Sequence, residues 1–175
     1  MNRRDPLENP APLIRRVYAY VAYRIGDGAD AEDVTSDVFE RALRYRESYD
    51  STLGAPLPWL LGIARRCLDD RGRKLQPVLD SEGDERAADE DLASEVIERL
   101  SVSAVVRRLD DRSQDLVALR FGADLSARQI GEVLGLKTNA VEVALHRTLA
   151  RLRSDFEGSD QSDRARATAT PDVAN

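Results

Sequence analysis

The stretch LSARQIGEVLGLKTNAVEVALHRTLARLR, residues 125–153, constrains the fold of this chain more than any other. Ser126 and Gln129 have the spacing of a capping box, in which each side chain satisfies the other residue's backbone N–H at a helix start. Gly131, Gly135 and Val141 follow at steps of four and six. The first is small enough for two helices to approach, the second suits the left-handed end of a helix, and the third anchors a second helix. This spacing predicts a helix-turn-helix.

The second helix divides by its period. Val141, Leu145, Thr148 and Leu152 share one face, flanked by Ala144 and Leu149. Asn139, Glu142, Val143, His146, Arg147 and Ala150 then point outward, with Lys137 and Thr138 at the head of the helix. Such a face can read bases. A carboxylate accepts from cytosine N4, asparagine suits adenine, and a valine methyl touches thymine. Lys137, Arg147, Arg151 and Arg153 are available to phosphates, which position without specifying. About four basic contacts bind weakly and with strong salt dependence, so such a helix needs a dimer partner or a larger complex. The plainer alternative is an ordinary solvated helix in a bundle.

Helical periods cover most of the remaining chain, and no segment alternates as a strand. Apolar residues at 13, 14, 17, 21 and 25 mark a first helix. A second is expected from about 30 to 46, with Asp30 as N-cap, Asp33 as capping-box acid and Val34, Val38, Ala42 and Leu43 as its stripe. A third starts near Pro58 and is basic towards its end, with Gly72 and Pro77 at its exit. Helical pattern resumes over 94–109 and 111–121. Aromatics are only 5% of the chain, which suits small bundles built on Leu, Val, Ile and Ala. The expected fold is therefore all-α, two small helical domains at 10–75 and 94–156 joined by an acidic linker at 76–93, with a disordered tail from 157 to 175.

Charge supports that division. Residues 79–98 hold nine acids and one arginine, a net −8, so against the whole chain's −6 the remainder is about +2. The net −6 argues against non-specific nucleic-acid binding by the chain as a whole, and its distribution is that of an acidic connector between two mildly basic parts.

Other functions lack residues to carry them. The single Cys67 excludes an internal disulfide and suits a reducing cytoplasm. No run approaches the roughly 18 apolar residues of a membrane span, and the first twenty residues lack the apolar core of a secretory signal. The lone His146 has no ligand set around it, and no carboxylate, His or Cys group forms a catalytic site. Neither metal nor cofactor is expected, nor enzymatic activity, and the expected location is cytoplasmic.

Two further segments complete the picture. DAEDVTSDVFERALR (30–44) puts Asp33, Asp37, Glu40 and Arg41 on the exposed side of an amphipathic helix, most simply a solvated face. PLPWLLGIARRCLDDRGRK (56–74) opens with Trp59 and carries Arg65, Arg66, Arg71, Arg73 and Lys74 in its far half, a weak nucleic-acid signal alone. Together and in this order, the three segments make the chain resemble the sigma-70 family of bacterial transcription initiation factors, in its short extracytoplasmic-function (ECF) group. DAEDVTSDVFERAL looks like region 2.2, WLLGIARRCLDDRGRK like regions 2.3 and 2.4, and LSARQIGEVLGLKTNAVEVALHRTLARLR like region 4.2.

The resemblance implies partners and a division of labour. Asp33, Ser36, Asp37 and Phe39 would dock on the β′ subunit of core RNA polymerase, where the family usually has Gln for Ser36 and Glu for Asp37. The loop 49–55 with Leu53, and the helix with Trp59, Arg65, Arg66, Arg71, Arg73 and Lys74, would read and open the −10 element, Trp59 mainly by packing in the core. Arg66 stands where the family often has Asn. The helix-turn-helix would read the −35 element through Lys137, Thr138, Asn139, Glu142, Val143, His146, Arg147 and Arg151. The family often reads Val–Lys–Ser–Arg where this chain has Val141–Glu142–Val143–Ala144, so an unusual −35 preference is expected. The implied partners are the polymerase β and β′ subunits and promoter DNA, with an anti-sigma factor as a further candidate. The acidic linker corresponds to the segment threaded towards the polymerase active site. Two rivals remain open, a stand-alone helix-turn-helix regulator and a sigma-like interaction protein that no longer reads DNA.

Overall fold

A computed structural model describes the backbone of residues 5–75 and 105–167 and the side chains of 5–73 and 105–154. Among the described residues there is no strand. The elements are α1 (Pro10–Ile25), α2 (Ala29–Arg44), a 3₁₀ turn (Arg46–Ser48), α3 (Pro56–Leu75), α4 (Asp111–Val117), a π turn (Ala118–Gly122), α5 (Ala127–Leu134) and α6 (Thr138–Ala167).

The N-terminal lobe is α1, α2 and α3 packed on one another. In α2, Val34, Val38 and Ala42 are buried at successive four-residue steps, whereas Leu43 lies a further 100° round the helix and is exposed. Asp30 is not the N-cap expected of it. Gly28 holds that position, and the Asp30 carboxylate instead accepts from Arg71 in the first turn. An acid there still complements the helix dipole, so a cap one residue pair earlier loses little. Helix α3 begins two residues before Pro58, because prolines in a first turn forgo only N–H groups that have no helical partner. Its inner face is Leu57, Leu60, Leu61, Ala64, Cys67 and Leu68. Burial pushes the Cys67 thiol pKa up, which makes it a packing group and not a nucleophile.

The C-terminal lobe is α4, the π turn, α5 and the start of α6. The helix expected over 111–121 changes pitch at Ala118, where the N–H of Ala123 donates to the Ala118 carbonyl at 2.9 Å. Asp124 follows at φ 51, a left-handed conformation that aspartate tolerates better than most residues. The linker expected at 76–93 and the helical stretch 94–104 lie outside the described residues. Within the stretch expected as a disordered tail, 157–175, the α6 backbone is helical to Ala167, and residues 168–175 lie outside the described residues. Loss of apolar periodicity there does not break a helix, and no proline occurs before Pro171.

The two lobes share one apolar core. Val17, Tyr20, Leu60, Leu61 and Leu68 of the first belong to the same cluster as Leu116, Leu119, Leu125 and Ile130 of the second. A polar cluster lies at the seam. Asp115, 7% exposed, accepts from the Tyr20 hydroxyl at 2.7 Å, from Arg24 Nη1 at 2.9 Å and from Arg65 Nε at 2.9 Å. Burial first, and the neighbouring carboxylate second, push the Tyr20 phenol pKa well above its ordinary value, so it is a fixed donor. Such a pair adds little net stability when intact, but removing one partner leaves a buried charge and costs roughly 3–5 kcal/mol.

Candidate nucleic-acid interface

The helix-turn-helix is built as its glycines and cap demand. The Ser126 side chain accepts from the Gln129 N–H, and Gln129 Oε1 accepts from the Ser126 N–H at 3.0 Å, so the capping box is complete. Gly135 ends α5 at φ 68, the left-handed conformation that glycine adopts without penalty. The turn then passes so close to α5 that a Cβ on Gly131 would stand 2.5 Å from the Leu136 carbonyl oxygen. This close approach fixes the angle at which α6 leaves the turn.

Helix α6 presents the two faces read from its period. Val141, Leu145, Thr148 and Leu152 are buried, and Ala144 and Leu149 are half-buried. Lys137, Thr138, Asn139, Glu142, Val143, His146, Arg147, Ala150 and Arg151 are exposed. Among the described residues, no hydrogen bond or ion pair engages the side chains of Lys137, Glu142, His146 or Arg147. An open hollow lined by Arg128, Gly131, Lys137 and Thr138 lies at the head of α6. The free N–H groups of a helix start favour an anion, so a phosphate oxygen is well received there. The face as a whole offers donors, one acceptor carboxylate and one aliphatic contact.

The surface around α3 is different. Leu53 projects from its loop at 85% exposure, while the Tyr49 hydroxyl closes that loop onto the Gly54 carbonyl at 2.8 Å. Trp59 is half-buried against the core, with its ring 5.4 Å from that of Tyr49. Of the α3 arginines, Arg66 is exposed, but the others face carboxylates. Arg65 bonds to Asp115, Arg71 to Asp30 and Arg73 to Asp70 at 3.4 Å. The Lys74 side chain lies outside the described set.

On α2, Asp33, Ser36 and Asp37 are exposed together, the Ser36 hydroxyl donating to the Glu32 carbonyl. Phe39 is half-buried against the core, so it reaches that surface only with part of its ring. Among the described residues, no three His, Cys, Asp or Glu side chains stand together as a metal site. Nor is any described helix long and apolar enough to cross a membrane.

Sequence reading missed the seam. Asp115 stands at the boundary between polar DDRSQ and apolar LVAL, where an acid is unremarkable, so no local signal marks it. Its partners Tyr20, Arg24 and Arg65 lie 95, 91 and 50 residues away.

The chain matches two family models, Sigma-70 region 2 over residues 12–77 and Sigma-70 region 4 over residues 105–154. It is 35% identical over 153 residues to the ECF RNA polymerase sigma factor BldN of Streptomyces coelicolor, covering 79% of this chain and 56% of that protein. It is 28% identical over 152 residues to the ECF RNA polymerase sigma factor SigK of Mycobacterium ulcerans, covering 82% of this chain and 81% of the relative. Among solved structures, its fold resembles the sigma factor RpoE in complex with the anti-sigma factor NepR from Bartonella quintana, at TM-score 0.66, 15% identity and coverage of 83% and 92% of the two chains. CnrH in complex with the cytosolic domain of CnrY matches at TM-score 0.59 and 21% identity, with coverage of 87% and 84%.

Proposed function

The chain belongs to the sigma-70 family of RNA polymerase sigma factors, and we propose that it acts as an extracytoplasmic-function member that binds core RNA polymerase and directs it to particular promoters. The observation that carries this reading is the order of two family regions along one chain, the second ending in a helix whose outer face is exposed. That helix has few cations, and delivery by polymerase removes its need to hold DNA alone.

In this reading α6 lies in the major groove of the −35 element. Asn139, Glu142 and Val143 meet base edges, His146 meets a base or phosphate, and Lys137, Thr138, Arg147 and Arg151 hold the backbone. At the −10 element Leu53 meets an unstacked base. Arg65, Arg66, Arg71, Arg73 and Lys74 follow the opened strand, as cationic grooves follow single-stranded DNA. Trp59 supports that surface from within the core. The acidic face of α2, with Asp33, Ser36, Asp37 and the edge of Phe39, docks on the polymerase β′ subunit. The chain supplies binding and strand capture, and polymerase supplies the chemistry, so it is no enzyme by itself and works in the cytoplasm. Both solved relatives are held by a second protein, which makes an anti-sigma factor a further proposed partner.

The test is reconstitution with core polymerase, followed by genome-wide mapping of transcription starts. The expected result is polymerase binding and starts confined to one promoter class. Failure to bind polymerase overturns the reading in favour of a stand-alone regulator. Binding without promoter-specific starts favours a sigma-like interaction protein.

A further inference from the structure

Two arginines near the end of α3 stand beside acids that are held in place without them. Asp70 divides its carboxylate, Oδ2 accepting from Arg41 of α2 at 2.9 Å and Oδ1 from Arg73 at 3.4 Å. The Arg41 bond is the shorter and less exposed of the two, so it keeps Asp70 beside Arg73 whether or not Arg73 stays. Asp30 lies in the first turn of α2, where the helix dipole favours an acid, and accepts from Arg71 across the packed pair of helices. Arg66 on the same helix is exposed and meets no carboxylate among the described residues.

Such standing acids change what the cations can do. When a protein holds a single strand by charge, log K falls with log salt by about 0.7 for each phosphate neutralised. An arginine already facing a fixed carboxylate gains less from a phosphate, and the carboxylate repels that phosphate. Phosphate contacts carry no sequence information, so cations left open would tighten the hold on every strand alike.

On the sigma reading above, which this inference rests on and deepens, we propose that Asp30 and Asp70 are positioning residues that hold Arg71 and Arg73 back from the displaced strand. Capture at the −10 element then depends on the reading of bases more than on backbone charge. Each acid removed returns one cation to the strand, and at about 0.1 M salt one further phosphate contact strengthens binding about fivefold. Asp30 has the larger effect, because Arg71 is the better shielded arginine and the Asp70–Arg73 bond is long and exposed.

The experiment uses holoenzyme reconstituted from the full chain and core polymerase. Its target is a fluorescent forked fragment of a promoter found by start mapping, duplex through −35 and with only the non-template strand at −10. A second fork carries oligothymidine in place of that strand. Half-saturation is read across a salt series for the parent, Asp30→Asn, Asp70→Asn and Glu47→Gln. Glu47, exposed in the 3₁₀ turn of the same lobe, is a charge-matched control without an arginine partner among the described residues. Asp30→Asn should bind both forks about fivefold tighter at about 0.1 M salt, with a salt slope steeper by about 0.7. Asp70→Asn should move the same way by less, and Glu47→Gln should keep the parent's affinity and slope. Acids that only tie α2 to α3 would give the opposite sign, weaker capture at an unchanged slope. Unchanged or weaker capture by Asp30→Asn, an equal gain in Glu47→Gln, or a gain confined to the promoter fork overturns the proposal. If Asp30→Asn loses helix content, Asp70→Asn decides by the same criteria. If neither the parent nor any variant binds core polymerase, the sigma reading fails and the proposal falls with it, whereas holoenzymes that form with parental slopes overturn the proposal alone.

Discussion

Helices α1, α2 and α3 of the N-terminal lobe run for 16, 16 and 20 residues, and neither α1 nor α2 has a side chain capping its first N–H groups. Helices α4 and α5 of the C-terminal lobe run for only 7 and 8, and each starts at a side-chain cap, Asp110 and Ser126. The contrast follows from the cost of nucleating a helix, which is paid once whatever the length. A long helix offsets it with further turns and a long apolar face. A two-turn helix has neither, so its ends must be satisfied locally. The first lobe therefore rests on packing and the second on turn and cap chemistry.

The largest effect expected from that contrast lies in the first lobe. Leu60 is fully buried in α3, and Leu60→Ala should destabilise by roughly 2–5 kcal/mol in urea unfolding followed by circular dichroism. Because the core is shared, both lobes should unfold in one transition, and two separate transitions would break the comparison by showing independent packing. In the second lobe the most sensitive point is the turn. Gly131→Val should cost about 1–3 kcal/mol, because the conflict is with the backbone oxygen of Leu136 and no side chain can rotate out of the way. It should also abolish −35-dependent transcription while leaving polymerase binding through α2 intact in a pull-down.

The same contrast decides what was legible in the sequence. The helix-turn-helix was readable down to single residues because its cap, close approach and left-handed glycine are all set within ten residues of chain. The buried stripe of α2 was readable for Val34, Val38 and Ala42 and wrong for Leu43, since burial at the edge of a stripe depends on what packs against it. Nothing local distinguishes Arg65, bonded to a carboxylate 50 residues away, from the exposed Arg66 beside it. Which cations of α3 are free is a property of the assembled lobes.

Smaller effects sharpen the account of the second lobe. Ser126→Ala removes one half of the capping box and should cost about 1 kcal/mol, measured as a lower urea midpoint at unchanged slope. Glu142→Lys touches nothing in the fold and should leave stability within about 0.5 kcal/mol. Its effect belongs to DNA, where it should change the preferred −35 sequence at one position in a selection assay. An unchanged preference would show that Glu142 does not read bases.

The smallest expected effect at neutral pH separates the two caps from each other. Asp110 accepts from the Ser113 N–H at 3.0 Å and from the Ser113 hydroxyl at 2.8 Å. Those bonds hold its carboxyl pKa below the usual aspartate value, the hydroxyl bond first and the backbone bond next, with Arg151 adding a little. A pKa lowered by folding stabilises the fold fully above the unfolded value of 3.8, and this contribution is lost as pH falls through the lower folded value. Asn caps a helix about as well as Asp, so Asp110→Asn should leave stability at pH 7 nearly unchanged. Below pH 4 the parent should lose stability more steeply than the Asn variant, while Ser126→Ala, which removes no titrating group, should shift the whole profile without changing its slope. Equal acid slopes for the parent and Asp110→Asn would show that the α4 cap does not depend on the charge of Asp110, leaving both caps as neutral hydrogen-bond devices.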